Sequence, residues 1–229
     1  MGPKTDKSVW VIVPAYNEAP AIVPVVNDLI RRGYVVAVVD DGSGDDTAVR
    51  ARQGGAVVIA HPVNLGQGAA LQTGIRFALR HGAQFIVTFD ADGQHRAGDI
   101  KNLLGALEAH RADFALGSRF LGSTVGMPAS RRLLLRVATW FTRLTTGMQI
   151  SDTHNGLRAM TRRGATYIAL RQNRMAHASE LLHEVAQSGL GYVEVPVTIE
   201  YSPYSLAKGQ SVANSLRILL DLSTQRLHR

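Results

Sequence analysis

Short apolar runs recur through the first half of the chain. Each ends in a turn of Gly, Pro, Asn or Asp, and each is followed by a segment of helical period. Val9 to Val13, Tyr34 to Val39, Ala56 to Ala60 and Phe85 to Phe89 read as strands, and the last, rich in β-branched and aromatic residues, as a buried one. Pro20 to Arg32, about Asp45 to Gln53, Ala69 to Arg80 and about Ala97 to His110 read as helices. Pro20 is tolerated in a first turn, and Gly33 is a stop. Phe114 to Gly117 is a fifth strand. Pro14 lacks the N–H that a central strand needs, so the chain is expected to turn there. Strands alternating with helices at this spacing predict βαβ units: an α/β fold with a mostly parallel, Rossmann-like sheet flanked by helices.

The pattern changes after Gly117. Arg131 to Gly147 has the length of a helix and carries Leu133, Leu134, Leu135, Val137, Trp140, Phe141 and Leu144 beside Arg131, Arg132, Arg136 and Arg143. Two readings stay open: a helix at a membrane interface, or an ordinary helix packed on the sheet. Ser179 to Gln187 reads as a helix, Gly191 to Tyr201 as a strand, and Val212 to Leu227 as an apolar-faced helix. No repeat, low-complexity tract or linker interrupts the chain. Residues 1–229 are therefore expected to form one domain, with 206–229 a C-terminal loop and amphipathic helix.

In open α/β sheets ligands bind outside the carboxyl ends of the strands. Four such ends carry charged or Gly-rich segments: Tyr16-Asn17-Glu18, Asp40-Asp41-Gly42-Ser43, Asn64-Leu65-Gly66 and Asp90-Ala91-Asp92. The last is the most demanding. Two carboxylates one residue apart at the end of a buried strand repel each other and resist burial. A hard divalent cation removes the conflict, and Mg²⁺ or Mn²⁺ takes one or two carboxylates with phosphates and water completing its shell. Asp90, Asp92 and the neutral oxygen of Gln94 are the candidate ligands. Gly66-Gln67-Gly68 follows the third strand rather than the first, so it suits a close backbone approach better than a dinucleotide loop. His177 and His183 lie six residues apart and so about 120° from each other's helix face, a poor metal pair.

Composition narrows the partners. The 229 residues carry a net charge of +7, and the pI is about 10.1, which calls for an anionic partner. A non-catalytic anion-binding module is the reading that charge alone supports. Basic residues interleaved with aromatics in a stacking platform are not apparent, so nucleic acid is not the expected partner. There is no Cys, which excludes disulfides and thiolate chemistry. Met1 to Ser8 is polar and no apolar run reaches the length of a membrane span, so neither a signal peptide nor a span is expected.

The first-strand Val-Pro-Ala-Tyr-Asn-Glu, the second-strand Val-Asp-Asp-Gly-Ser, Asn64 to Gly68 and Asp90 to Gln94 together resemble glycosyltransferase family 2, the inverting nucleotide-sugar enzymes of GT-A fold. Gly117-Ser118-Arg119, Asp152 to Arg158 and Glu194 to Val197 extend the resemblance over nearly the whole chain. Within the family it looks most like the branch of dolichol-phosphate mannosyltransferases and bacterial polyprenyl-phosphate glycosyltransferases. The resemblance implies a donor nucleotide pocket at Pro14, Ala15, Tyr16, Glu18, Asp41 and Ala91, and a cation, Mg²⁺ or Mn²⁺, on Asp90, Asp92 and Gln94. It implies a phosphate-facing Arg119, an acceptor-phosphate site at Arg131, and Lys208 as a substitute for the branch's Arg-rich loop. The implied reaction moves a hexose from GDP-mannose or a UDP-hexose to a polyprenyl phosphate. The place is the cytoplasm, peripheral at the inner face of the membrane, held by an anionic lipid surface or a membrane-protein partner. The rival within the family is transfer to a hydroxyl with Glu180 as general base; Glu180 and Glu184 also read as an i,i+4 surface pair.

Overall fold

The computed structural model describes residues 8–171 and 176–208; the helix expected at Val212 to Leu227 lies outside them. Seven strands form one sheet in the order β3-β2-β1-β4-β6-β5-β7. They are β1 (Val9–Ala15), β2 (Val35–Asp40), β3 (Val57–Ala60), β4 (Phe85–Thr88), β5 (Phe114–Val125), β6 (Arg158–Thr161) and β7 (Tyr192–Glu200). The helices are α1 (Ile22–Arg31), α2 (Thr47–Gln53), α3 (Gln67–Arg80), α4 (Ile100–Ala109), α5 (Ala129–Thr146), α6 (Arg162–Tyr167), α7 (Ala176–Ser188) and α8 (Pro203–Lys208). The pairs β1–β2, β2–β3, β1–β4 and β5–β7 are parallel, while β6 runs antiparallel to both β4 and β5.

Side chains alternate across β1 and so build two cores. Val9, Val11 and Val13 pack with Ile22, Val26 and Leu29 of α1 and with Ile100, Leu103 and Leu107 of α4. Trp10 and Ile12 face the other way, into the core shared by Ile75 of α3 and Leu181 and Val185 of α7. The sheet is thus covered on both faces, which is why its central strands read as continuous apolar runs. α5 lays Leu135, Ala138, Thr139 and Thr142 inward and ends at Gly147, whose φ of 72° is the left-handed stop that glycine accepts without strain.

Two local readings are corrected. Pro14 does not end β1: it lies in register with Val39 of β2. The carbonyl of Ile12 faces β4, accepting from Phe89 N at 3.0 Å, and that of Ala15 faces β2, accepting from Asp41 N at 2.8 Å. Pro14 faces the same way as Ile12, toward β4, but pairing with β4 stops at Ile12 and Thr88. The missing N–H therefore costs no ladder bond. β5 also runs past Gly117 to Val125, with an irregularity between Ser118 and Ser123 that polar residues and Gly122 disguise in the sequence.

Candidate active site

The carboxyl ends of β1, β2 and β4 open on one side of the sheet. The loop after β1 is stitched to the loop after β2. Asn17, at φ 53°, donates its N–H to Ser43 Oγ (2.9 Å) and accepts at Oδ1 from Gly44 N (2.9 Å). Glu18 N donates to Thr47 Oγ1 at 2.8 Å. The Glu18 carboxylate accepts from the hydroxyl of Tyr204, on α8, at 2.7 Å. Tyr16 is 48% exposed beside it, a ring surface open to solvent, whereas Ala15 and Ala91 are buried.

Asp41 is buried and fully engaged. Its Oδ1 accepts from Leu65 N (3.0 Å) and meets His61 Nδ1 (2.8 Å), and its Oδ2 accepts from Gly66 N (2.7 Å). This carboxylate organises the 61–66 loop and, through it, the start of α3, which delivers Gln67 to Asp90.

Asp90 is held from three sides. Gln67 Nε2 donates to Oδ1 at 3.2 Å, and His95 Nε2 lies 2.9 Å from Oδ2. The backbone at Gly156 closes the third side, where any Cβ would overlap the carboxylate. Burial works against the charge of Asp90, but the His95 hydrogen bond and the charges of His95, His177 and Arg158 outweigh it and hold the carboxyl below its usual range. Asp92 goes the other way: burial, then the charge of Asp90, pushes it up to about 6, and Glu18 adds to the effect. Gln94 N donates to Asp92 Oδ1 at 3.1 Å.

Two adjacent carboxylates driven in opposite directions form a site of excess negative charge. Among the described residues no group of three His, Cys, Asp or Glu side chains is close enough to enclose a metal alone. That donor set fits a hard cation that takes only part of its shell from protein and the remainder from a phosphate ligand and water. Asp90, Asp92 and the side-chain oxygen of Gln94 would hold it. Gly156→Ala should drive a methyl into Asp90 and weaken divalent-cation affinity about 10–100-fold, as losses of ligand-orienting contacts do. Calorimetric titration of Mn²⁺ in the presence of nucleoside diphosphate checks this; unchanged affinity in a folded variant would separate Asp90 from the cation.

Behind Asp90 lies a buried network that the sequence did not reveal. Arg119 is buried. Its Nε donates to Asp152 Oδ2 (2.6 Å), Nη1 to the Tyr201 hydroxyl (2.7 Å) and Nη2 to His154 O (2.6 Å). The attraction of Asp152 and Tyr201 outweighs burial and raises its pKa further. Arg131, in the first turn of α5, stands with Cζ 5.1 Å from the centre of the same Tyr201 ring, a cation–π arrangement. Arg158 opens β6, donates from Nη2 to Thr153 O at 3.0 Å, and is lowered to about 10 by burial, against the pull of Asp90 and Asp152. Burial takes His154 down to about 4, so it is neutral at pH 7.

Two residues of α7 exchange prominence. Glu180 accepts at Oε1 from Arg171 N at 2.9 Å. His177 is buried, and its charge acts on Asp90 and His154. The available signal for His177 was its position one turn before the core residue Leu181. His183 is exposed and pairs with Gln187 at 2.8 Å, so the two histidines do not converge. Lys208 is the last residue of α8.

A mostly parallel sheet with a carboxylate pair at the end of β4 defines a GT-A architecture, and comparison with known proteins agrees. The model of "Glycosyl transferase family 2" matches residues 10–171. The chain belongs to that family. It is 31% identical to a UDP-N-acetylglucosamine–dolichyl-phosphate N-acetylglucosaminyltransferase of Methanococcus voltae, over 95% of each chain. It is 33% identical to the polyprenol monophosphomannose synthase of Mycolicibacterium smegmatis, over 86% of this chain and 79% of that one. Glucosyl-3-phosphoglycerate synthase of Mycobacterium tuberculosis, solved with Mn²⁺ and UDP-glucose, shares the fold with a TM-score of 0.71 at 20% identity, over 97% of this chain and 79% of that one.

Proposed function

We propose that the protein transfers a hexose, with inversion, from a nucleoside diphosphate sugar (GDP-mannose or a UDP-hexose) to a polyprenyl phosphate, and that it needs Mg²⁺ or Mn²⁺. The observation that carries the acceptor half is the contrast between Arg131 and Glu180. The guanidinium of Arg131 is stacked on Tyr201, whose hydroxyl is bound by Arg119, while Glu180 is engaged by the backbone of Arg171. A phosphate acceptor calls for a cation and no strong base: its second pKa is near 6 (roughly that of phosphoserine), so it is a dianion at pH 7. The relatives from Methanococcus voltae and Mycolicibacterium smegmatis, by their names, act on a dolichyl phosphate and a polyprenol; that supports the same class here.

In this reading Pro14, Ala15, Tyr16 and Ala91 line the nucleotide pocket. Tyr16 packs on the base, and Glu18 accepts from a base N–H or a ribose hydroxyl. Asp41 serves the pocket through the 61–66 loop. Asp90, Asp92 and Gln94 hold the cation, which when bound neutralises charge on the departing diphosphate. Arg131, with Lys208, holds the acceptor phosphate, one oxygen of which attacks the anomeric carbon on the face opposite the diphosphate. A new bond forms from that oxygen to the carbon as the bond to the diphosphate breaks. Arg119, with each of its three side-chain nitrogens already hydrogen-bonded, acts by fixing Tyr201 beneath Arg131 and by holding the 152–154 loop through Asp152 and the His154 carbonyl. In this reading the protein works in the cytoplasm, peripheral at the inner face of the membrane.

A thermal-shift series tests the donor half. At a hundredfold excess over Kd, UDP or GDP with Mn²⁺ should raise the melting temperature by about 5–10 °C in a chain of this size. EDTA should abolish the shift. No shift with any nucleoside diphosphate and metal would overturn the donor assignment and leave the anion-binding module as the better reading.

A further inference from the structure

Helix α5 turns an apolar face to solvent. Leu133, Val137, Trp140 and Leu144 are 66%, 49%, 62% and 65% exposed. At about 100° per residue these four positions fall within roughly 60° of arc. That arc lies opposite the packed face of Leu135, Ala138, Thr139 and Thr142. Leu134 and Phe141, both half-buried, widen the apolar side. Arg132, Arg136 and Arg143 are exposed and form one row along the other edge of the stripe, with Arg143 also donating from Nε to Ile150 O at 2.5 Å. α5 contains no Asp or Glu. Arg131 alone among its arginines turns toward the site, onto Tyr201.

We infer that this face is a docking surface for an anionic lipid bilayer, with the Leu133–Leu144 stripe sunk among the acyl chains and the Arg132–Arg136–Arg143 row at the headgroups. Charge complementarity selects this occupant. A one-sided row of cations beside a stripe with Trp at its middle is the pattern of helices that lie in the interfacial plane of an anionic membrane. The C-terminal segment 209–229 is a poor alternative cover. It holds Arg217, Arg226 and Arg229 against a single Asp221, so it would bring positive charge onto positive charge. A second copy of α5 would do the same. The inference deepens the lipid-phosphate reading by naming the surface that brings the site to its acceptor. Vesicle binding does not depend on transfer, so either can fail alone.

The chain has two tryptophans, and they make the test direct. Trp10 is buried in the core and Trp140 is exposed on the stripe. The full chain is mixed with vesicles of phosphatidylcholine alone or with phosphatidylglycerol, followed by sedimentation and by quenching with brominated acyl chains. Binding should require phosphatidylglycerol, fall with salt, shift the Trp140 emission to the blue and expose it to the bromines. Arg132→Gln/Arg136→Gln should lower the partition coefficient roughly thirtyfold, about fivefold for each arginine. Leu133→Gln/Leu144→Gln should abolish quenching while leaving Mn²⁺-dependent nucleotide binding unchanged, which shows that the variant is folded. Three results would overturn the inference: no binding to phosphatidylglycerol vesicles at low salt; binding in which Trp140 stays unquenched, which would move attachment to another segment; or a self-associated chain that Leu133→Gln/Leu144→Gln turns monomeric, which would make the stripe an interface between copies.

Discussion

Asp92→Asn should give a protein that is more stable than the wild type without metal at pH 7 and that no longer turns over. The stability half follows from one fact: burial and the charge of Asp90 push Asp92 up to about 6. An acid whose folded pKa lies above its unfolded value near 3.9 binds more protons in the folded state across that interval, so stability falls as pH rises from about 4 to about 6. At pH 7 the metal-free wild type carries the whole penalty. Asn keeps the shape and removes the charge, so the variant should lose the Asp92 contribution to that fall and lie above the wild type at neutrality. The same change removes an anionic ligand of the proposed cation. Losing several kcal/mol of charge stabilisation at the leaving diphosphate lowers kcat/KM by about a thousandfold or more. Melting temperature against pH with and without Mn²⁺, together with transfer assays, reads both effects. A variant with wild-type turnover would remove the cation from Asp92.

The acceptor is decided by a pair of variants assayed with two acceptors. With a polyprenyl phosphate, Arg131→Ala loses a charge-assisted contact to a dianion, worth roughly 1.5–3 kcal/mol, and kcat/KM should fall about tenfold to a hundredfold, chiefly through the KM of the acceptor. Glu180→Gln keeps the size and most of the hydrogen bonding to Arg171 N, and it should retain substantial activity. Toward a hydroxyl acceptor the order reverses: loss of a general base costs about 10²–10⁴-fold, and Arg131→Ala should be mild. Loss of all transfer in Glu180→Gln with Arg131→Ala unaffected would assign the protein to the hydroxyl-acceptor group.

How much of this could be read beforehand depended on how local each signal is. Central strands are buried on both faces, so their apolar runs and closing turns mark β1, β2 and β4 in the sequence almost to the residue, while β3, at the sheet edge and only partly buried, is marked by its β-branched run alone. β6 escaped because four residues that begin with a buried arginine, Arg158, and run straight into α6 carry no periodicity. Its antiparallel course is set by pairing with Phe85 to Thr88 of β4, a contact made across seventy-odd residues of chain. At the site, Asp90 and Asp92 were legible because like charges at a strand end need an explanation. Their opposite electrostatic fates were not, since His95, His177, Arg158 and Glu18 reach them through the fold. Arg119 shows the same limit: residue type suggests a phosphate, while its surroundings supply Asp152, Tyr201 and the His154 carbonyl.

The hydrogen bond from Tyr204 to Glu18 joins residues 186 positions apart at the mouth of the proposed nucleotide pocket. It makes the two ends of the described chain unequal as places to attach anything. β1 starts at Val9 and runs seven residues, about 20 Å, before it reaches the site, so Ser8 lies at the opposite rim of the sheet. Anything joined soon after α8 pulls on the element that holds Glu18. A fusion joined directly after Lys208 should therefore weaken nucleotide binding more than one joined directly before Ser8.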